Sequence, residues 1–225
     1  METIVFDLNG TLVDSERAHW LAYNDVLQKY SIDFGFAEFS EDWTRRGQGL
    51  SFTLSKHGRS DLLPFVDDLK GQKDLIFRSK IAERLSLMPG VAEILPKLIL
   101  DFVLAVDSTS TKEDITKILD HFELTPYFRI IGASDMPWDS KRYGKNSKSS
   151  RLKYIANQLR CDTKQCIMVG DAEKDIIAAK DNNMPVIIIP TETTKDNDLS
   201  SADLILSSFI ELSCEVVRNV LKRIA

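Results

Sequence analysis

Four groups of polar residues stand where apolar runs end, and their types suit a cation and an anion held side by side. Asp171 and Asp175 follow the run Cys166–Val169 and Gly170, four positions apart. With Asp175 in the first turn of a following helix, both carboxylates face one pocket and can hold a hard divalent cation through oxygen ligands. A helix start also favours negative charge, which explains one of the acids by capping but the pair less well. Asp7 ends the apolar run Ile4–Phe6, and Gly10 breaks the pattern just behind it. In an open parallel sheet ligands bind beyond the carboxyl ends of the strands, so an acid there is a site candidate; the alternative is an Asp that only caps the turn. Ser108, Thr109 and Ser110 lie between a strand and a helix. Their hydroxyls and the free backbone N–H groups make a phosphate-sized anion site or, more plainly, an N-cap. Lys148 precedes another helix start, in a stretch that also holds Lys141, Lys145 and Lys153, and such stretches are ordinarily solvated surface.

These residues need elements that bring them together. Apolar runs at Ile4–Phe6, Phe102–Val106, Arg129–Ala133, Cys166–Val169, Val186–Ile189 and Asp203–Leu206 read as strands. Between them, helical patterns cover Val91–Leu100, Glu113–Phe122, Ser149 or Ser150 to Arg160, Glu173–Asp181 and a closing Phe209–Ile224, with Ser134–Ser147 as a loop. Strands alternating with helices of this length predict an α/β fold, a doubly wound parallel sheet covered on both faces. From Ser15 to about Leu87 no strand is evident. A helix over Glu16–Tyr30 and helical segments at 39–46, 49–57, 60–69 and 72–86 predict an all-helical insert at 14–87, with 1–13 and 88–225 forming the α/β domain. Within the insert, Lys56, Arg59, Lys73, Arg78 and Lys80 read as exposed charge, and Trp20, Trp43 and Phe52 as packing.

The 225 residues are 43% hydrophobic and 28% charged with a net charge of −5, which supports a sizeable core and gives no reason to expect nucleic-acid binding. No apolar run approaches the roughly 20 residues of a membrane span. The N-terminus runs straight into a strand, unlike a secretory signal. Cys161, Cys166 and Cys214 are odd in number and lack metal-site spacing, and His19, His57 and His121 are scattered. The simple expectation is a cytoplasmic chain with reduced thiols.

Taken together, Asp7, Ser108, Lys148 and the Gly170-Asp171…Asp175 stretch resemble the haloacid dehalogenase superfamily, in its phosphatase and β-phosphoglucomutase-like branch. The likeness covers nearly the whole chain. It implies a Rossmann-like core with an inserted helical cap at 14–87, an aspartyl-phosphate formed on Asp7, and Mg²⁺ held by Asp7, Asp171, Asp175 and the Leu8 carbonyl. It also implies phosphate binding by Ser108, Thr109 and Lys148. Lys145 and Lys141 are rivals for the lysine; Lys148 is preferred because Tyr154 falls at the family's usual distance into the helix. The substrate implied is a small phosphorylated metabolite, and the chain a monomer or weak dimer. Specificity in such proteins comes largely from the cap, where Arg45 or Arg46 in Thr44–Gly49 would bind a second anionic group; Arg46 is the site residue taken forward.

One departure matters. The family's acid–base aspartate is Asn9 here, and an amide neither gives nor takes a proton usefully near neutral pH. Three readings stand: a substitution that keeps shape and removes proton chemistry, a native residue in a protein that binds without turnover, or a different reaction. Weak or absent phosphatase turnover is the expectation. A phosphoryl-ligand-binding protein is the alternative, with transfer within a sugar phosphate or dehalogenation behind it; dehalogenation would not need the Asp171–Asp175 pair. Asn9-Gly10 is also a pair that favours deamidation to Asp.

Overall fold

A computed structural model describes residues 2–223. The chain divides into two compact units, Met1–Val13 with Leu87–Ala225, and Asp14–Ser86. It begins with β1 (Thr3–Asp7), buried along its whole length, and leaves the first unit through β2 (Val13–Asp14).

The second unit holds α1 (Glu16–Leu27), α2 (Phe36–Phe39), α3 (Leu50–Lys56), α4 (Val66–Ser79) and α5 (Ile81–Arg84). A wide helical turn over Ser40–Arg45 and a 3₁₀ segment over Ser60–Phe65 join them. Its core gathers Val26, Leu27, Ile32, Phe34, Phe39, Leu50, Leu54, Leu62 and Leu69, with Trp20 and Trp43 packed against it. The indole N–H of Trp43 donates to Thr53 Oγ1 at 2.7 Å and that of Trp20 to the Phe34 carbonyl at 2.9 Å, so these amphipathic rings bury without orphaned donors. Four expectations for this stretch fail. The helix expected over 72–86 breaks after Ser79, resumes only as the short α5, and gives way to extended chain at Ser86. The break expected between residues 69 and 72 is absent, because the stripe Leu69, Lys73 and Phe77 buries at i, i+4 spacing and carries α4 through Gly71. Lys73 is buried, its ammonium 3.1 Å from Asp74 and over the rings of Tyr23 and Phe77. Phe52 is exposed.

The chain returns through β3 (Ser86–Leu87), which pairs with β2, and then builds the rest of the first unit. In order these elements are α6 (Val91–Leu98), β4 (Val103–Asp107), α7 (Lys112–His121), β5 (Phe128–Gly132), α8 (Ser140–Tyr143), α9 (Lys148–Gln158), β6 (Cys166–Gly170), α10 (Glu173–Lys180), β7 (Val186–Ile188), β8 (Leu204–Ile205) and α11 (Cys214–Lys222). Six strands form one parallel sheet in the order β5-β4-β1-β6-β7-β8. From β1 the chain lays strands outward on one side, then returns to lay β6 against β1 on the other. That reversal is the switch point at which doubly wound sheets bind ligands, and it falls between the ends of β1 and β6.

Alternation along β1 sends residues to two cores. Val5 joins Ala105 and Met168 beneath α9 and α10, through Leu152, Ile155, Ile176 and Ala179. On the other face Phe6 meets Phe209 and Phe128, each with ring centroids 6.3 Å away. The expected loop at 134–147 contains α8, whose start Asp139 caps by accepting from the N–H groups of Lys141 and Arg142. α9 begins at Lys148, one or two residues earlier than expected, because Ser147 supplies the capping hydroxyl. The closing helix is interrupted: Phe209–Glu211 is a 3₁₀ turn, and Ser213 caps a new helix from Cys214. Ile224, the expected last residue of that helix, lies outside the described residues. None of the three cysteines is in a disulfide, and no helix among the described residues is long and apolar enough to cross a membrane.

Candidate functional site

The ends of β1, β4 and β6 and the starts of α9 and α10 meet at the switch point. Asp7, the last residue of β1, lies in register beside Asp107, the last residue of β4. Asp171 follows β6, and Asp175 is the third residue of α10. Asp7, Asp171 and Asp175 are all buried, and each offers a carboxylate oxygen within 4.8 Å of the others.

Glycine makes this crowding possible at two places. Gly10 has φ +85°, and a Cβ there would stand 2.8 Å from Asp171 Oδ2. A Cβ on Gly170 would run into the Asp175 carboxylate. The buried Thr11 hydroxyl donates to Asp171 Oδ1 at 3.1 Å. Asp175 Oδ2 accepts from the backbone N–H groups of Asp171 and Ala172, both at 3.1 Å, at a helix start that favours its charge.

Lys148 reaches in from the first turn of α9. Its ammonium donates to Asp7 Oδ1 at 2.7 Å and is ion-paired with Asp175 Oδ1. Burial alone would push this lysine down, but Asp7, Asp175 and Asp107 outweigh it and hold its pKa well above the usual range. Lys145 and Lys141, the rival lysines, are exposed. Lys174, which its charged surroundings in the sequence disguise, brings a second ammonium to 3.9 Å from Asp7 Oδ2. Three carboxylates therefore face two ammonium groups, and Asp7 Oδ2 has no hydrogen-bond partner among the described residues. A buried carboxylate oxygen without a donor is costly unless a cation meets it. The all-oxygen, net-negative donor set fits Mg²⁺.

Leu8 does not fit that set. Its carbonyl already accepts the N–H groups of Leu12 at 2.9 Å and Val13 at 3.0 Å, which occupy both lone pairs. The next carbonyl, that of Asn9, accepts no such bond from the described residues.

The Asn9 side chain points its amide nitrogen at Ser108 Oγ, 3.2 Å away, and Ser110 Oγ, 3.1 Å away. Its own carbonyl oxygen is buried without a hydrogen-bond partner among the described residues. Ser108 is buried and also accepts from the Ser110 N–H at 3.1 Å; Thr109 is exposed and takes no part in these bonds. The Gly10 N–H donates to the Val13 carbonyl at 2.9 Å. Deamidation needs that nitrogen to attack the Asn9 side chain, so the fold restrains the reaction the dipeptide favours. Arg46 belongs to the second unit, where it is exposed and ion-paired with Glu41 at 2.9 Å and Asp42 at 3.6 Å. Sequence reasoning passed over Arg151, which binds Asp107 through Nε at 2.6 Å and a second guanidinium nitrogen at 3.1 Å. Its one sequence signal is the i, i+3 spacing from Lys148 at a helix start.

The acids titrate differently. Burial, then the neighbouring Asp175 and Asp7, raise Asp171 from 3.8 to about 7. Asp175 stays below its ordinary value because Lys148, Lys174 and the backbone donors overcome its burial. Between about pH 4 and about 7 the folded, metal-free chain thus holds a proton on Asp171 that the unfolded chain has released. Stability from this group is present at the low end of that window and is lost as pH rises, with a slope of at most about 1.4 kcal/mol per pH unit. Thermal melts of the metal-free protein are expected to show Tm falling from pH 5 toward pH 7. Asp171→Asn should flatten that slope, and saturating Mg²⁺, which needs the ionised acid, should oppose it.

The strand order defines a Rossmann-like α/β protein whose acidic pocket, at the switch point, could hold a cation. The chain belongs to the haloacid dehalogenase-like hydrolases, whose family pattern matches residues 4–189. It is 24% identical over 214 residues to the protein CbbY of Rhodobacter capsulatus, covering 90% of this chain and 91% of that one. It is 25% identical over 218 residues to a phosphoglycolate phosphatase of Caulobacter vibrioides, covering 93% and 88%. Among solved structures, a variant of CbbY from Rhodobacter sphaeroides in complex with xylulose-(1,5)bisphosphate superposes with a TM-score of 0.76 at 23% identity, covering 95% of this chain and 96% of that one.

Proposed function

We propose that this chain acts on small phosphomonoesters, sugar phosphates or compounds like them, through an aspartyl-phosphate on Asp7, and that Asn9 leaves its turnover weak. The observation that carries the reading is the meeting of Asp7 with Lys148, Asp171 and Asp175 in one buried pocket. In the first step an Asp7 oxygen bonds to phosphorus, the bond from phosphorus to the leaving oxygen breaks, and in this chain that oxygen takes a proton from water. In the second, water attacks phosphorus, the bond to Asp7 breaks, and inorganic phosphate leaves with the carboxylate restored. Ser108, Thr109 and Lys148 are assigned to the phosphoryl oxygens. Asp7, Asp171 and Asp175 would hold Mg²⁺, which would supply positive charge against the repulsion between carboxylate and phosphoryl oxygens. An acid at position 9 would give the leaving oxygen its proton and take one from the attacking water; the Asn9 amide does neither.

The helical unit 14–87 is assigned the role of a cap that sets specificity, and Arg46 that of binding a second anionic group. The names of the relatives, a phosphoglycolate phosphatase and a protein solved with a sugar bisphosphate, support a phosphorylated small molecule as substrate. We take the chain to be cytoplasmic and a monomer or weak dimer. One observation favours a second reading, a protein that binds phosphoryl ligands without turnover: the Asn9 amide nitrogen donates to Ser108 and Ser110, hydrogen bonds that a carboxylic acid at this position is not needed to make. A panel of sugar and nucleotide phosphates with Mg²⁺, run on this chain and on Asn9→Asp, separates the two. Turnover in the restored variant supports the phosphatase; binding without turnover in both supports the binding protein.

A further inference from the structure

We propose that the buried Arg151–Asp107 pair is a positioning device that fixes Lys148 in the pocket, a role that rests on the reading of the site given above. Both side chains are almost fully buried, at 3% and 0% exposure, and the guanidinium grips the carboxylate with two nitrogens. Gly132, beside Asp107 in the sheet, makes room for it: a Cβ there would stand 2.7 Å from Asp107 Oδ1. The third guanidinium nitrogen donates to Asn146 Oδ1 at 3.3 Å. Asn146 in turn donates to the Ser134 carbonyl at 2.9 Å, and the Ser134 N–H donates to the Ser110 carbonyl at 3.0 Å. Arg151 thus closes a ring of contacts from the serines after β4, through the segment before α9, back to the end of β4.

Two features argue that the pair serves Lys148 rather than the fold at large. The first turn of α9 holds both Lys148 and Arg151 and no acid. A helix start disfavours cations, so α9 by itself gains nothing from either. A buried ion pair is, moreover, weak evidence for stability, since well-packed apolar residues often do as well or better. What the pair does supply is a rigid tether one turn along the helix from Lys148, anchored on the residue that stands in register with Asp7. Arg151 touches no reacting atom in this scheme; it acts through Lys148.

The test uses the full chain and does not need turnover. Arg151→Lys removes the two-pronged grip while keeping both charges, and with them the effect of Asp107 on the Lys148 proton, and far-ultraviolet dichroism confirms the fold. Each protein is labelled with an amine-acylating reagent, and the rate at Lys148 is read by peptide mass spectrometry against Lys141 and Lys145 as internal references. The expected result is a rise of about threefold or more in the Lys148 ratio, since an amine released from its carboxylate partners is more often unprotonated and accessible. A rise smaller than about threefold overturns the proposal, because a pair that serves only the fold leaves Lys148 where it was whichever cation meets Asp107. Should Arg151→Lys not fold, Asn146→Ala, which keeps both charges and removes the contact of the third guanidinium nitrogen, is read by the same ratio and the same threshold. Binding of inorganic phosphate with Mg²⁺ is measured alongside. Its absence in the parent chain would overturn the phosphatase reading alone and leave the labelling result to decide the tether.

Discussion

Asn9→Asp is expected to raise phosphomonoester turnover by about 10²–10⁴-fold, the contribution of a positioned acid–base group. The substitution changes one side-chain nitrogen to oxygen at a position whose amide stands 3.2 Å from Ser108 Oγ and 3.1 Å from Ser110 Oγ. A carboxylate of the same shape accepts from both hydroxyls, which rotate to donate, so the local packing survives the change. Inorganic phosphate and Mg²⁺ affinities should move little, since Asp7, Lys148, Asp171 and Asp175 are untouched. The gain should therefore fall on kcat rather than on KM, the pattern of an interaction made only in the transition state. Intact mass must accompany the assay, because Asn9 in a fraction of the parent would be read as activity if it had deamidated. The Gly10 N–H bond to Val13 predicts that this fraction stays small. Equal turnover in the two proteins would remove Asn9 from the account.

Lys148→Met is expected to cost the metal-free protein about 3–5 kcal/mol, the usual penalty for leaving buried charge unpaired. The lysine is the direct partner of Asp7 and Asp175, both nine-tenths or more buried, and Lys174 lies 3.9 Å from Asp7, at the outer limit of an ion pair. Without Lys148 three carboxylates face a single ammonium. A divalent cation takes over part of that balance, so denaturant melts of the variant should recover much more stability on adding Mg²⁺ than those of the parent. A variant that loses less than about 1 kcal/mol, the worth of an exposed pair, would mean that the pocket is more solvated than its burial indicates.

Much of this site was legible before any coordinates, for a local reason. Asp7 and Asp171 sit at the ends of short apolar runs, and the run, the acid and the turn lie within a few residues of one another. Such patterns carry their own geometry, as does Asp175 one helical turn on. Lys148 needed more: only its distance to Tyr154 separated it from Lys145, and what selects it physically is the hydroxyl of Ser147, which starts α9 at that residue. Arg151 was invisible because its partner Asp107 lies 44 positions away and the pairing depends on the space left by Gly132. Leu8 was misjudged for a related reason. Whether a carbonyl is free depends on which N–H groups the turn folds onto it, and here both Leu12 and Val13 arrive. In the helical unit, Lys73 reads as surface by type and is buried because its stem packs along the stripe of α4 while its ammonium meets Asp74 and two rings.

The claim on which the rest depends is that Asp7 takes the phosphoryl group, and Asn9 makes this testable, since a missing base slows the loss of that group more than its arrival. The chain is incubated with Mg²⁺ and a small activated donor such as acetyl phosphate, quenched in acid, and read by intact and peptide mass spectrometry. The account predicts the added mass of one phosphoryl group, located on Asp7, absent without Mg²⁺ and absent in Asp7→Asn. An unmodified Asp7 under these conditions, or a phosphoryl group on any other residue, would contradict it.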